Sequence, residues 1–257
     1  MTTRGFGIAG ALDHAIIREL AVAAETAGYT TFWANDTPQG DGLAALRVVH
    51  QAAPTLRLGV GVIPIDRVAP ADIAERARTY GLPEDRLTIG IGSGGIHKGA
   101  VAAVEGAATQ LRGLLTARIA VGALGPKMVA MSARSTDGAL LNWLTPEFAA
   151  KQSDLCRSAE PSAWVAAYVR VATGEPGIRR AQAEGARYAE IPAYNAHFER
   201  MGVDPSATCA LGDQAAIQAK LSEFDQSRMD ETIVRAISAT ETLDGYLAVL
   251  RAAAPNA

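Results

Sequence analysis

Arg86-Leu-Thr-Ile-Gly-Ile91 runs directly into Gly92-Ser-Gly-Gly-Ile-His-Lys98 and then into a stretch, ending near Leu115, whose apolar residues recur at helical spacing. A short β-branched run, a glycine-rich turn and an amphipathic helix make up one βα unit. The same unit recurs along the whole chain. Strands are predicted at residues 5–9, 30–35, 56–63, 86–91, 118–122, 138–143, 163–171 and 232–238. The first return helix follows the N-cap residue Asp13 and places Ile16, Ile17, Leu20, Ala23, Ala24 and Ala27 on one face. Later helices are predicted at 42–53, 70–80, 97–115, 126–135, 146–157, 177–201 and 240–254, and several begin at proline, whose missing N–H is harmless in a first turn. One more, 211–224, reads as an insertion or a split helix.

Strands alternating with helices imply a parallel α/β fold. Eight such pairs in 257 residues match a (β/α)8 TIM barrel of about 250 residues, whereas a doubly wound sheet more often uses five or six strands. No linker, charge block or short-period repeat divides the chain, so one barrel domain over 1–257 is expected.

Composition narrows the function. Hydrophobic residues make up 49% and charged residues 20%, values that exclude disordered and fibrous classes. The net charge of -3 offers no positive field for nucleic acid or anionic lipid, which leaves a small molecule as the expected partner. Cys156 and Cys209 are too few for a disulfide framework or metal cluster, and no metal site is expected. The apolar run from Phe6 to Leu12 ends at Asp13 and His14 rather than at a small-residue cleavage site, so a cytoplasmic location is expected. No apolar stretch approaches the roughly 20 residues that span a bilayer.

In a barrel of this kind the segments just after the strands build the site. Gly90, Gly92 and Gly95 satisfy the letter of G-x-G-x-x-G, but they follow the fourth strand, and Leu114, Leu115 and Thr116 stand where a ribose-binding acid belongs, about 20 residues on. Nor is Gly94-Gly-Ile-His-Lys98 a P-loop. Any single glycine here is explained by a tight turn, and together they let a flat ring or a phosphate approach the backbone. Gly125-Pro126-Lys127-Met128 opens a helix whose free amides and dipole suit an anion, with Lys127 one of only four lysines; an ordinary helix start explains it equally well.

Acid and base candidates are sparse. Asp36, Asp66, Arg67 and His97 follow strands, while His14 and His197 sit in helical patterns and read as surface residues, and His50 ends a helix, where a cation suits the dipole. No hydrolytic triad and no H-E-x-x-H motif appears. Few reactive groups around a glycine-lined mouth point to a cofactor that carries the chemistry.

Ala24-Glu-Thr-Ala-Gly-Tyr-Thr-Thr-Phe-Trp33-Ala-Asn-Asp36, Leu56-Arg-Leu-Gly-Val-Gly-Val-Ile-Pro-Ile-Asp-Arg67, the segment from Leu82 to Gly94, and Val121-Gly-Ala-Leu-Gly-Pro-Lys-Met128 with Thr136 to Trp143 resemble, in order and spacing, the bacterial luciferase-like superfamily. The resemblance implies a barrel that binds FMN or the deazaflavin coenzyme F420 at its mouth, and the Gly-Pro-Lys-Met form is similar to the F420-dependent branch. It implies cofactor contacts from Asn35, Gly61, Val62, Ile63, Ser93, Gly94, Gly95, Gly125, Pro126, Lys127 and Met128, and a cis peptide between Gly61 and Val62. Proton transfer is expected from Asp36 or His97, and the substrate side from Asn142, Trp143 and Arg67, with a place in the core the commoner one for a tryptophan at such a strand end.

The resemblance has departures. Thr37 and Ile96 stand near positions where some F420-dependent dehydrogenases carry histidine and glutamate, which disfavours sugar-phosphate dehydrogenation. The chain is shorter than most proteins it resembles, which carry insertions over the mouth, so little sequence is expected to be left for a lid. Hydride transfer between F420 and a small organic substrate is the leading expectation. An FMN-dependent monooxygenase using reduced flavin and O2, and a non-catalytic flavin-binding protein of the same fold, stand as alternatives. A phosphosugar enzyme would need donors after strands seven and eight, where Val171-Ala-Thr-Gly174 and Ser238-Ala-Thr240 are poor in them. A homodimer is expected by analogy.

Overall fold

A computed structural model describes residues 2–255. The chain opens with β1 (Thr3–Ala9), α1 (His14–Thr26), β2 (Thr31–Asn35), α2 (Gly42–Ala52), β3 (Arg57–Pro64) and α3 (Pro70–Thr79). It continues with β4 (Leu87–Gly92), α4 (Ala100–Leu114), β5 (Arg118–Gly122), α5 (Pro126–Ser135), β6 (Gly138–Asn142) and α6 (Pro146–Ala159). The remaining elements are β7 (Trp164–Thr173), α7 (Gly174–Ala189), α8 (Pro192–Met201), β8 (Ala210–Gly212), α9 (Gln214–Asp225), β9 (Glu231–Ala236) and α10 (Leu243–Ala252). The strands pair in parallel in the order β6-β5-β4-β3-β2-β1-β9-β7, and β6 pairs with β7 to close the ring. The result is an eight-stranded (β/α)8 barrel, as the strand–helix alternation predicts.

Local chemistry sets the element ends. Asp13 accepts the Ala15 amide at 2.7 Å and starts α1, while Asp41 accepts the amides of Leu43 and Ala44 and starts α2. Three expectations need correction. β8 is a ninth strand that adds to the end of β7 at Val171–Ala210, where a helix beginning at residue 211 was expected. Three residues are too few to show a strand period, and Asp213, accepting from the Ala216 amide, marks the true helix start. The helix expected over 177–201 is two helices, because Pro192 cannot donate to the preceding turn and Ile191 before it is extended. The helix expected from residue 97 starts at Ala100, since Gly99 takes a left-handed conformation, φ 70°, and leaves 93–98 as a loop.

The core has two parts. An outer layer packs strands against helices, and a smaller cluster of Trp33, Ala120, Leu140, Ala166, Tyr168 and Ile233 fills the barrel. Gly59 makes the inner cluster possible, because a Cβ there would stand 2.3 Å from Cδ2 of the Trp33 indole. The indole Nε1 donates to Oε1 of Glu231 at 2.8 Å. Cys156 and Cys209 are buried and unpaired, and burial pushes both thiols up to about 11. No helix among the described residues is long and apolar enough to cross a membrane.

Burial pushes the Glu231 carboxyl up to about 7, against the opposing pull of the Trp33 and Thr31 hydrogen-bond donors. Because this value lies above the 4.5 of an ordinary glutamate, the folded state holds a proton that the unfolded chain has released. Stability is therefore expected to fall as pH rises from about 4.5 to about 7, by roughly 1.4 kcal/mol per unit and about 3 kcal/mol in all. Urea unfolding across that range compares wild type with Glu231→Gln, which should lack this slope; equal slopes in the two proteins would contradict the assignment.

Candidate functional site

The C-terminal ends of the strands enclose a cavity of about 610 Å³, in the usual size range for small-molecule sites. Its floor is the Gly61–Val62 segment of β3, whose connecting peptide is cis, as the resemblance implied. The Val62 side chain sits where β4 and β5 carry no side chains: a Cβ on Gly92 would stand 2.6 Å, and one on Gly122 2.9 Å, from its methyl carbons. These glycines make room first for a protein side chain. Asn35 at the end of β2 donates from Nδ2 to the Gly61 carbonyl at 2.6 Å and so fixes the floor. Two buried polar atoms at this level, Asn35 Oδ1 and the Tyr168 hydroxyl, have no hydrogen-bond partner.

Eight of the residues expected at the site line the cavity: Asn35, Asp36, Gly61, Val62, Ser93, Gly94, His97 and Asn142. Thr37 and Ile96 line it as well. Asp36 accepts the Gly42 amide at 3.2 Å through one oxygen and Arg67 at 3.2 Å through the other. Partial burial raises its carboxyl above the ordinary value, with the Gly42 amide and the Arg67 charge pulling the other way. Arg67 is exposed and acts through Asp36 rather than lining the cavity.

The other expected residues lie elsewhere. Ile63 turns into the outer core and is 2% exposed, since alternation along β3 sends it opposite to Val62. Gly95 donates its amide to Asp66 at 2.8 Å, closing the loop after β4. Gly125, Pro126, Lys127 and Met128 form the start of α5, just beyond the Gly122–Leu124 edge of the cavity, with Lys127 exposed and Met128 packed on the outer core.

Trp143 is buried, not substrate-lining. It takes a left-handed backbone conformation, φ 53°, which turns its ring into the core against Tyr188 and Phe198. His197 is likewise buried, contrary to its expected surface place. Its Nδ1 receives Arg200, which can only donate, so Nε2 carries the proton and donates to the Trp143 carbonyl at 2.9 Å. Burial lowers the affinity of this ring for a second proton. His197 thereby ties α8 to the β6–α6 turn, and the start of α8 covers the cavity with Ile191, Pro192, Ala193 and Tyr194. The chain has a cover after all, made from the segment expected as one continuous helix.

Sequence reasoning missed the wall formed by β7, α7 and β9. Tyr168, Arg170, Glu184, Tyr188 and Arg235 line it. Arg170, almost fully buried, donates from Nε to Glu184 at 3.1 Å and from NH1 to Asn142 Oδ1, and its guanidinium lies 3.6 Å over the Trp143 ring. Burial alone would raise Glu184, but the charges of Arg170 and Arg235 outweigh it and hold the carboxyl below the ordinary value. A signal was present: an arginine interrupts each of the apolar runs that form β7 and β9.

The closed ring of eight parallel strands and the cavity at their C-terminal ends define a (β/α)8 barrel protein with a small-molecule site. Residues 4–99 match the family profile described as luciferase-like monooxygenase. Among solved structures, the chain is similar in fold to an F420-dependent secondary alcohol dehydrogenase in complex with an F420–acetone adduct (14% identity, TM-score 0.74, 98% of this chain and 99% of that one). It is similar to the coenzyme F420-dependent tetrahydromethanopterin reductase from Methanopyrus kandleri (14% identity, TM-score 0.71, 99% of both chains). It is also similar to the FMN-bound oxygenating constituent of 3,6-diketocamphane monooxygenase from Pseudomonas putida (10% identity, TM-score 0.67, 99% of this chain and 98% of that one). At these identities the likeness is one of fold. Comparison with curated proteins gives no significant match.

Proposed function

We propose that this protein is an oxidoreductase that transfers a hydride between F420 and a small organic substrate. The cavity floor carries the reading. A floor at Gly61–Val62, with the Val62 side chain seated in the space left by Gly92 and Gly122 and the unpartnered Asn35 Oδ1 beside it, fits a flat ring with polar edges. Bound there, a deazaflavin supplies a two-electron hydride donor or acceptor. Asn35 offers a hydrogen bond to the ring edge, Ser93 and Gly94 border it, and the N–H groups of Gly125, Lys127 and Met128 at the helix start opened by Pro126 suit an anionic tail. Asp36 holds or takes a proton at its carboxylate, with His97 at the rim as the second candidate. The cover formed by Ile191 to Tyr194 excludes water from the reacting centre.

The Gly125-Pro126-Lys127-Met128 segment and the two F420-dependent fold neighbours favour deazaflavin over flavin. The second reading, an FMN-dependent monooxygenase using reduced flavin and O2, is favoured by the matching family profile and the FMN-bound neighbour. Fluorescence titration of the purified protein with each cofactor separates them. F420 is expected to saturate the protein with at least about tenfold higher affinity than FMN. Tight FMN binding with no affinity for F420 would sink the F420 assignment.

A further inference from the structure

We propose that Arg235 recognises a carboxylate on the substrate, so that the substrate is an organic acid with an apolar or aromatic body. The inference rests on the reading of the cavity as a substrate site and names the class of molecule it takes.

The charges on the β7–β9 wall do not balance. Arg170 and Arg235 face one another across the paired strands, in register, and both act on the Glu184 carboxylate of α7. Glu184 forms its ion pair with Arg170, which also donates to Asn142 and lies over the Trp143 ring. Arg235 makes one hydrogen bond, from NH1 to the Ala236 carbonyl at 2.7 Å, and no ion pair among the described residues. The opposite side of the cavity offers no compensation, since Asp36 is already paired with Arg67. One positive charge is left facing the cavity, with N–H donors unused, and a planar guanidinium matches a carboxylate in charge and shape.

The Tyr168 hydroxyl is an independent pointer. It lies one inward-facing step below Arg170 on β7, is fully buried and has no partner. Arg235 is the charge that acts on it most strongly. The phenol and the Arg235 guanidinium both line the cavity, and an oxyanion bound there has donors on this wall to meet it. A single surplus charge fits a monoanion. Phosphate is disfavoured, because Glu175 occupies the first turn of α7, the nearest helix start after β7. Around this polar point the cover is apolar and aromatic: Tyr188, Ile191, Pro192 and Tyr194.

Isothermal titration calorimetry tests the proposal on the whole protein, with and without F420. The probes are benzoate, phenylacetate and hexanoate, each against its amide, together with inorganic phosphate. At least one acid is expected to bind wild type about tenfold or more tightly than its amide. Arg235→Gln should abolish that preference, and Arg235→Lys, which keeps the charge and guards against a folding defect in the first variant, should retain part of it. Acids binding no better than their amides, an unchanged preference in Arg235→Gln, or tighter binding of phosphate than of any acid would each overturn it. F420 affinity is measured on the same samples: retained F420 binding without acid preference defeats this inference alone, whereas loss of F420 binding in wild type defeats the cofactor assignment.

Discussion

Arg170→Ala is expected to destabilise the protein by about 3–5 kcal/mol, the range for removing one partner of a buried ion pair. The side chains of Arg170 and Glu184 are only 5% and 16% exposed, and Arg170 also satisfies Asn142 and fills the space beside Trp143 and Tyr188. Without it, Glu184 is a buried carboxylate with no hydrogen-bonded counterion. The pH dependence distinguishes this cause from loss of packing. Glu184 is held below the ordinary value in the folded protein, so its contribution to stability is present above that ordinary value and disappears as pH falls through the depressed one. The deficit of the variant should accordingly be full near neutral pH and shrink toward acid. Arg170→Met combined with Glu184→Gln should recover most of the loss, because a neutral pair of similar volume leaves no charge stranded. Chemical unfolding of the three proteins near pH 7 and about pH 4 measures all of this, and a loss below about 1 kcal/mol for Arg170→Ala would show that the pair is not stabilising.

Asp36→Asn is expected to lower kcat by about 10²- to 10⁴-fold, the usual range for a general acid or base, while F420 affinity stays within a few-fold of wild type. Asparagine keeps the size of the side chain and an oxygen for the Gly42 amide, so the loop should hold its shape. The carboxyl is raised by burial and restrained by Gly42 and Arg67. If it donates the proton in substrate reduction, the rate falls as pH rises through its raised value. Arg67→Ala removes the restraint of the guanidinium and should move that limb to still higher pH. A kcat for Asp36→Asn within about threefold of wild type, or a pH limb unmoved in Arg67→Ala, would take Asp36 out of the chemistry.

The strands that form the barrel were legible because they are short apolar runs, several of them ended by glycine or proline, and α5 begins and ends where its proline and periodicity place it. The break between α7 and α8 was misread because helical spacing of apolar residues continues on both sides of Pro192; the proline alone carried the information. His197 was misread for a related reason. Helical periodicity tells which face a residue lies on, but the partner that buries that face, here the Trp143 turn, comes from far along the chain.

At the site, the segments after β2, β3 and β4 were readable because glycines and lone polar residues cluster there in sequence. The β7–β9 wall was not. Arg170, Glu184 and Arg235 stand on three different elements, each in an ordinary-looking segment, and only the pairing of β7 with β9 and the packing of α7 on β7 make them one cluster.

By itself the sequence determined the eight βα units, their order, the glycine-lined mouth and the luciferase-like resemblance, because these follow from local periodicity, from turn chemistry and from motifs contiguous in the chain. The tertiary structure decided that Gly59 makes room for Trp33, that Gly92 and Gly122 make room for Val62, that α8 covers the mouth, and that one arginine is left without a counterion in the cavity. Those facts depend on which side chains meet across a closed sheet, and closure brings together residues whose separation in sequence carries no record of their contact.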